Sequence, residues 1–222
     1  RQGRIWIASE AQNLFCYDLK EQSLRNYILT EHSLVSTNVK CLTVDNSGTI
    51  WIGFYGDGLF YSKDNLKTLH PYLSPVDNEE TYNDDVVSKI VLGAYNCLYI
   101  SSLKGGVKEL NLTSGKLRDL LLKDENNEAI YCRTLLVYTD NELWIGTESG
   151  VYIYNLRTEK YTHLRSSEYD PYSLSDNAIY SFCKDREDGI WIGSYFGGVN
   201  YYPRSYTYFE KYYPKGIENS LH

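Results

Sequence analysis

Clustered aromatic and glycine residues are the first feature of this sequence that could do chemistry. The stretch DGIWIGSYFGGVNYY, residues 188–202, combines a tryptophan with several glycines and tyrosines. Such residues either cradle a sugar or a phosphate, or form the turn and core of a β-hairpin. The glycine pairs 105–106 and 197–198 lack the GxxxxGK frame and the following helix of a phosphate-binding loop, so no phosphate loop is predicted there.

Residue types that carry out catalysis are present, but they do not show catalytic spacing. No nucleophile or base recurs near the four histidines, which are interpreted as surface residues: His32, His70, His163 and His222. The acidic run NEETYNDD, residues 78–85, is typical of a solvated loop. Asp45 and Asp185 lie in predicted turns, where an aspartate caps its own backbone more often than it binds calcium. We therefore predict no catalytic residue in this chain.

Charge and cysteine spacing argue against further classes of function. The net charge is −7, with 22 basic residues dispersed among 29 acidic ones, so no contact with nucleic acid is predicted. The five cysteines contain no CxxC pair, and no metal or cofactor is predicted.

No apolar stretch reaches the roughly 18 to 20 residues that cross a bilayer. Because the chain lacks methionine, Arg1 is expected to follow a cut in a longer protein.

The aromatic stretch recurs along the chain. Segments similar to GTIWIGFYGDGLFYSK, which begins at Gly48, also begin at Gly3, Asn96 and Asn141. Their aromatic anchors are 45, 48, 45 and 47 residues apart and are predicted to pack between repeats: Trp6, Trp51, Tyr99, Trp144 and Trp191. This period indicates supersecondary units that stack on their neighbours to bury a shared core.

Each repeat contains four short β-strand patterns joined by turns rich in glycine, asparagine and aspartate. Four strands in about 45 residues, without helical periodicity, indicate a β-propeller blade. We predict an all-β chain, a single propeller segment over 1–222, with about five four-stranded antiparallel blades of about 45–48 residues each. It is interpreted as an arc cut from a longer propeller, with a closed five-bladed ring as the alternative. The predicted units are a partial blade 1 (1–31), blade 2 (32–77), blade 3 (78–124), blade 4 (125–170), blade 5 (171–214) and a lead-in to the next blade (215–222).

Residues that differ between the repeats gather in the turns between the second and third strands. These turns are expected to open on one face of the propeller, beside the connections between blades. Variation on a constant scaffold is how repeat proteins gain a specific site, and aromatic faces near polar groups suit sugars. Packing against neighbouring loops is the alternative. The candidate ligand-binding residues are Phe54, Tyr55, Asp57, Ser102, Lys104, Glu148, Tyr195 and Phe196.

Three stretches resemble a known repeat family. SLSDNAIYSFCKDREDGIWIGSYFGGVNYY (173–202) and SLVSTNVKCLTVDNSGTIWIGFYGDGLFYS (33–62) resemble the two-component regulator propeller repeat. In that repeat a Ser-Leu-Ser-x-Asn lead-in precedes an inner strand, an acidic turn, Trp-Ile-Gly and Gly-Gly. ELWIGTESGVYIYN (142–155) is similar to its second half, whereas the third unit departs from it with Tyr99 for tryptophan and Ser101 for glycine.

The resemblance implies the periplasmic sensor region of a hybrid two-component regulator. In that family the propeller precedes a β-sandwich domain, a membrane helix and a histidine kinase, so the expected partners are the remaining blades and these downstream domains. The implied ligand is an oligosaccharide derived from a glycan, and the segment itself is not expected to be an enzyme. The residues leave open a self-contained five-bladed carbohydrate-binding lectin and a propeller lyase or cyclotransferase. Unpaired blade edges would favour a homodimer.

Overall fold

Five antiparallel β-sheets follow one another along the part of the chain that the structure describes. This computed structural model describes residues 3–9, 13–28, 38–72 and 86–204. Successive strands are hydrogen-bonded neighbours in every sheet, so each sheet is a simple meander. No helix long and apolar enough to span a membrane occurs in those four ranges. The predicted all-β class is confirmed.

The strands are two to eight residues long and are numbered in chain order. Sheet one contains β1 (Arg4–Ser9), β2 (Asn13–Asp18) and β3 (Ser23–Ile28). Sheet two contains β4 (Val39–Val44), β5 (Ile50–Phe54), β6 (Leu59–Ser62) and β7 (His70–Pro71). Sheet three contains β8 (Val87–Leu92), β9 (Cys97–Ser102), β10 (Val107–Asn111) and β11 (Leu117–Leu121). Sheet four contains β12 (Cys132–Thr139), β13 (Glu142–Thr147), β14 (Gly150–Asn155) and β15 (Lys160–Leu164). Sheet five contains β16 (Ile179–Lys184), β17 (Ile190–Ser194) and β18 (Val199–Tyr202).

The sheets correspond to the predicted repeats. The predicted limits 124/125 and 170/171 fall in the connections that follow sheets three and four. The limits after residues 31, 77 and 214, the acidic run 78–85 and the lead-in 215–222 lie outside the described residues. Sheet one begins with the anchor strand that is second in sheets two, three and four, because Trp6 lies in β1. The partial blade 1 (1–31) stays a prediction.

The hydrophobic core lies between the sheets. Four clusters of buried side chains each join one sheet to the next, and the strands β4, β8, β12 and β16 pack against one another in that order. The contacts are close: Gly53 of sheet two faces Val87 of sheet three, and Gly146 of sheet four faces Ile179 of sheet five. A sheet therefore buries its two faces only by stacking, as expected for a repeat protein.

Most of the aromatic anchors lie in these layers. Trp51, Tyr99 and Trp144 expose between 1% and 6% of their surface, and Trp6 is half-buried. Trp191 exposes 45%, because no described sheet follows sheet five. Burial of an anchor thus depends on the sheet that stacks on it.

One histidine does not match its predicted surface position. His70 is exposed, and His32 and His222 lie outside the described residues. The side chain of His163 is only 10% exposed, because its ring stacks on Tyr152 with 3.7 Å between the ring centroids. Its Nε2 lies 2.9 Å from the carbonyl oxygen of Ser149, and burial lowers the pKa of the imidazole. The surface interpretation of His163 was therefore wrong.

Candidate functional site

The turns after the anchor strands lie beside the connections between sheets. In four sheets the residue after the anchor strand donates its backbone N–H to the connection that precedes the inner strand. The bonds are Tyr55 to Asn38 (2.9 Å), Leu103 to Val86 (3.0 Å), Glu148 to Tyr131 (3.1 Å) and Tyr195 to Ala178 (2.9 Å). These bonds place variable turn residues next to the start of each inner strand, on one end of the sheets.

Each of these four inner strands carries a β-bulge at its second residue. The register with the anchor strand shifts by one residue there in every case, at Lys40, Ser88, Arg133 and Tyr180. Bulges redirect a side chain out of the regular alternation and are common beside binding sites. The bulge residue thereby becomes the neighbour of the turn residue of the same sheet.

The pairs of bulge and turn residues differ from sheet to sheet. In sheet two the ammonium of Lys40 lies 5.6 Å from the ring centroid of Tyr55. In sheet four Arg133 forms an ion pair with Glu148, and in sheet five the rings of Tyr180 and Tyr195 are 5.1 Å apart. The same backbone position therefore carries a different chemistry in each sheet, and these positions do not form equal pockets.

The pairs of sheets four and five join into one continuous surface. The guanidinium of Arg133 lies 5.1 Å from the ring centroid of Tyr180, which links the ion pair to the aromatic pair. Tyr195 meets Phe196 edge-to-face, with 4.4 Å between the centroids. We name this surface the aromatic patch: Arg133, Glu148, Tyr180, Tyr195 and Phe196. Tyr195 is 60% exposed and Phe196 is 87% exposed, so two large rings face water.

The lead-in before sheet five fixes the backbone of the aromatic patch. One carboxylate oxygen of Asp176 accepts the backbone N–H of Phe196 at 2.9 Å, and the hydroxyl of Ser175 donates to the Gly197 carbonyl at 2.8 Å. The hydrogen bonds to Asp176, that from Phe196 foremost, hold the pKa of its carboxyl below the usual value. A Cβ on Gly197 would lie 2.8 Å from the backbone carbonyl carbon of Ser175, which cannot rotate away, so glycine is required there. The exposed rings therefore stand on a fixed turn.

Two of the eight predicted ligand-binding residues belong to the core, which corrects the prediction. Phe54 is 0% exposed and packs edge-to-face on Phe60, at 5.2 Å between centroids. Ser102 is 1% exposed, and its Oγ accepts the backbone N–H of Gly105 at 2.7 Å. Both are the last residue of an anchor strand, so the turn that opens to water begins one residue later than predicted.

The other predicted residues lie at the surface or partly buried, but only some of them are neighbours. The structure brings Glu148, Tyr195 and Phe196 together in the aromatic patch, where they stay candidates for ligand binding. Tyr55 is exposed and Asp57 half-buried in the turn of sheet two, and Lys104 is exposed in the turn of sheet three. These three belong to other sheets and are not part of the aromatic patch.

Sequence reasoning missed Arg133 and Tyr180, although a signal for them exists. The bulge residue lies eleven positions before the aromatic anchor in sheets two to five, and the turn residue beside it lies four positions after the anchor. The bulge position holds lysine, serine, arginine and tyrosine in turn. Variation at one position of a constant period indicates a residue that the scaffold does not need.

The chemistry of the aromatic patch suits a neutral ligand. Its single cation and single anion are paired with each other, while its aromatic faces offer flat apolar surface next to polar groups. Within the four described ranges, no group of three histidine, cysteine, aspartate or glutamate residues is placed to hold a metal ion.

The acidic turns have a structural role that supports the anchors. In Asp45 one carboxylate oxygen accepts the N–H groups of Ser47 and Thr49, and the other accepts the indole N–H of Trp51 at 2.9 Å. Asp185 accepts the indole N–H of Trp191 at 3.1 Å in the same way, as well as two turn N–H groups. The aspartates predicted to cap these turns therefore also fix the indole rings of the tryptophans. We call Asp45 with Trp51, and Asp185 with Trp191, the acidic clamps of sheets two and five.

Two acidic turns and their anchors lie in segments that match a known repeat. The sequence profile described as two component regulator propeller matches residues 33–56 and 173–196, which include Asp45 with Trp51 and Asp185 with Trp191. These two stretches of the chain are similar to two-component regulator propeller repeats. A comparison with curated proteins found no match.

Solved structures share the fold of this chain. The extracellular domain of BT4673 from B. thetaiotaomicron, described as a hybrid two component system, superimposes with a TM-score of 0.75 at 19% identity. The corresponding domain of BT3049 gives a TM-score of 0.56 at 22% identity. PorZ, a component of the type-IX secretion system of Porphyromonas gingivalis, gives 0.70 at 14%. The matches cover 91%, 92% and 91% of this chain but only 26%, 32% and 31% of those chains.

Proposed function

We propose that this propeller segment is part of the extracytoplasmic sensor region of a hybrid two-component regulator and that it binds a glycan-derived oligosaccharide at the aromatic patch. The ligand signal would pass to a kinase outside the segment, and the segment itself would not be an enzyme. The repeats and the extracellular domains to which the fold is similar support the sensor role.

The aromatic patch is the observation on which the proposed ligand rests. Large apolar rings exposed on a backbone held by Asp176 and Ser175 are costly to leave in water unless a partner covers them. Sugar rings present flat C–H faces that stack on aromatic side chains, and their hydroxyl groups can bond to Arg133 and Glu148 at the edge. Because the ion pair is internally balanced, a neutral oligosaccharide is preferred to a charged one.

The proposal is tested by calorimetric titration of the chain with neutral oligosaccharides released from plant and host glycans. A loss of one stacking ring should weaken binding at least about tenfold, so Tyr195→Ala and Phe196→Ala should both do so. Tyr95→Ala is the matched control, because Tyr95 is 78% exposed and lies in the turn between the first and second strands of sheet three. No binding of any oligosaccharide, or equal weakening by Tyr95→Ala, would contradict the proposal.

A further inference from the structure

A cavity with charged side chains in its wall lies between sheets one and two, toward the other end of the sheets from the aromatic patch. It has a volume of about 210 Å³ and is lined by residues of β1, β2 and β3 and by the turn that joins β6 to β7. The aromatic patch lies at the turns that join the second strand to the third in sheets four and five. Successive turns of an antiparallel meander alternate between the two ends of a sheet, so the two sites face in opposite directions.

The wall of this cavity is positively charged. Arg4, Arg25 and Lys67 line it together with a single carboxylate, that of Asp18, so three cations face one anion in a chain of net charge −7. Asp18 is held by the backbone N–H groups of Glu21 and Lys20 and by Arg4, and these bonds lower the pKa of its carboxyl. The carboxylate is therefore ionised near neutral pH, and the lining keeps an excess of positive charge.

The three cations differ in how firmly they are held. Arg4 is oriented by Asp18 at 3.3 Å and by the side-chain oxygen of Asn65 at 3.2 Å. Arg25 pairs with Glu21 at 2.8 Å, but both side chains are more than half exposed, and such a pair contributes little and exchanges readily. Lys67 is exposed and forms no ion pair with any residue in the four described ranges. Arg25 and Lys67 are therefore able to turn toward an incoming anion.

An aromatic ring completes the cavity. Tyr27 lines it and packs on Trp6 with 5.4 Å between the ring centroids. The cavity is smaller than the pockets that hold drug-sized molecules, which begin at about 300 Å³. A suitable ligand is thus small, with an anionic group for the cations and a body that lies against Tyr27.

We propose that this cavity binds a small ligand that carries an oxyanion, namely a carboxylate, a sulfate or a phosphate. Arg4 forms the fixed part of the site, and Arg25 and Lys67 close on the anion. The site is independent of the aromatic patch and of the oligosaccharide proposed there. It lies on other sheets, and it prefers an anionic ligand where the aromatic patch prefers a neutral one.

The test is a calorimetric titration of the whole chain with four anionic probes and one neutral one. Glucuronate, glucose 6-phosphate, inorganic phosphate and sulfate separate the three oxyanions, and glucose is the neutral control. At least one anion should bind with a Kd of about 1 mM or below at low salt, glucose should not bind, and added salt should weaken the binding. No anion binding at about 10 mM would overturn the proposal.

Variants in the two exposed cations sharpen the test. Lys67→Gln and Arg25→Gln should each raise the Kd of the bound anion at least about fivefold, because each removes one charge from the cavity wall. Lys63→Gln is the matched control: Lys63 is exposed in the same turn as Lys67 but does not line the cavity. Binding that survives both cavity variants, or that falls as much in the control, would overturn the proposal.

Discussion

Sheets two and five carry the same acidic turn and the same tryptophan anchor in different surroundings. The Asp45 carboxylate bonds the indole of Trp51 at 2.9 Å, and that of Asp185 bonds the indole of Trp191 at 3.1 Å. Trp51 is 6% exposed because Tyr72 and sheet three pack on it, whereas Trp191 is 45% exposed. The repeat motif thus sets the local geometry of the turn, and the next sheet in the stack sets how much that geometry stabilises the protein.

The largest expected difference between the two sheets comes from removing the anchors. Trp51→Ala should lower the free energy of unfolding by about 3–5 kcal/mol, since it empties a packed layer. Trp191→Ala should lower it by about 1–2 kcal/mol, since about half of that side chain is already in water. Chemical denaturation of both variants measures the difference. Equal losses would mean that the stacking of sheet three on Trp51 contributes nothing.

The acidic clamps should show the same order with a smaller effect. Asp45 is 5% exposed, and Asp45→Asn should destabilise the chain by about 2 kcal/mol because it weakens charged hydrogen bonds to the turn and to Trp51. Asp185→Asn should have a smaller effect, because Asp185 is only half-buried. Thermal unfolding of the pair tests this order, and a larger loss for Asp185→Asn would contradict it.

The clamp of sheet two also predicts a pH dependence. Burial alone would raise the pKa of Asp45, but hydrogen bonds from Ser47, Trp51 and Thr49 outweigh it and lower the pKa. The contribution of Asp45 to stability is therefore complete above the unfolded pKa of about 4 and is lost as the pH falls through the lower folded pKa. We expect the difference in free energy of unfolding between wild type and Asp45→Asn, measured from pH 6 to pH 2.5, to disappear below about pH 4. A difference that stays constant over this range would show that the ionised Asp45 carboxylate does not stabilise the turn and Trp51.

Matched glycines test how closely the sheets pack. A Cβ on Gly53 would lie 2.5 Å from a methyl of Val87 in sheet three, so Gly53→Ala should cost about 1–2 kcal/mol. A Cβ on Gly193 would meet only the Ser181 side chain, at 2.3 Å from its Oγ, and that exposed hydroxyl can rotate away. We expect Gly193→Ala to change stability by less than about 0.5 kcal/mol. A greater loss at Gly193 would show that another layer covers sheet five.

Two cysteines provide a comparison without any expected change in stability. Cys41 is buried in sheet two, where burial raises the pKa of its thiol to about 12, and Cys183 is exposed in sheet five. Since the thiolate is the reactive form, a thiol reagent should modify Cys183 within minutes and the four buried cysteines only after unfolding. The rapid phase should disappear in Cys183→Ser. Its persistence in that variant would contradict the burial of the other cysteines.

The repeat made the sheets and the anchors predictable, because period and turn residues are local properties of the sequence. Phe54 was misplaced because the end of a strand shifts by one residue without a local signal. The side chain of His163 is buried by its stacking on Tyr152 of the neighbouring strand, whereas KYTHL alone is typical of an exposed strand. Cys183 is exposed although it lies in the inner strand of its sheet, because its burial depends on a layer that does not follow sheet five in the described residues.

The candidate site was less predictable than the fold. Tyr195 and Phe196 were predicted as variable turn residues, although Tyr55 holds the same repeat position as Tyr195, and the structure places both beside Glu148 in the aromatic patch. The alternation of apolar and polar residues did not reveal Arg133 and Tyr180, because a bulge becomes visible only in the register between two paired strands. Only the constant distance from the aromatic anchor marks their position in the sequence. The cavity around Arg4 and Lys67 joins residues of two sheets, such as Arg4 and Asn65, which are 61 positions apart and which a single sequence does not bring together.

The central claim is that the constant positions of the repeat build the sheets and the variable positions around the aromatic patch bind the ligand. The most direct test is a map of backbone amide chemical shifts in the chain with and without a bound neutral oligosaccharide. The largest shifts should fall at residues 131–133, 148, 180 and 194–198, with little change at Tyr95 or around Lys67. Shifts concentrated at the opposite end of the sheets, or spread evenly over the repeats, would contradict the claim.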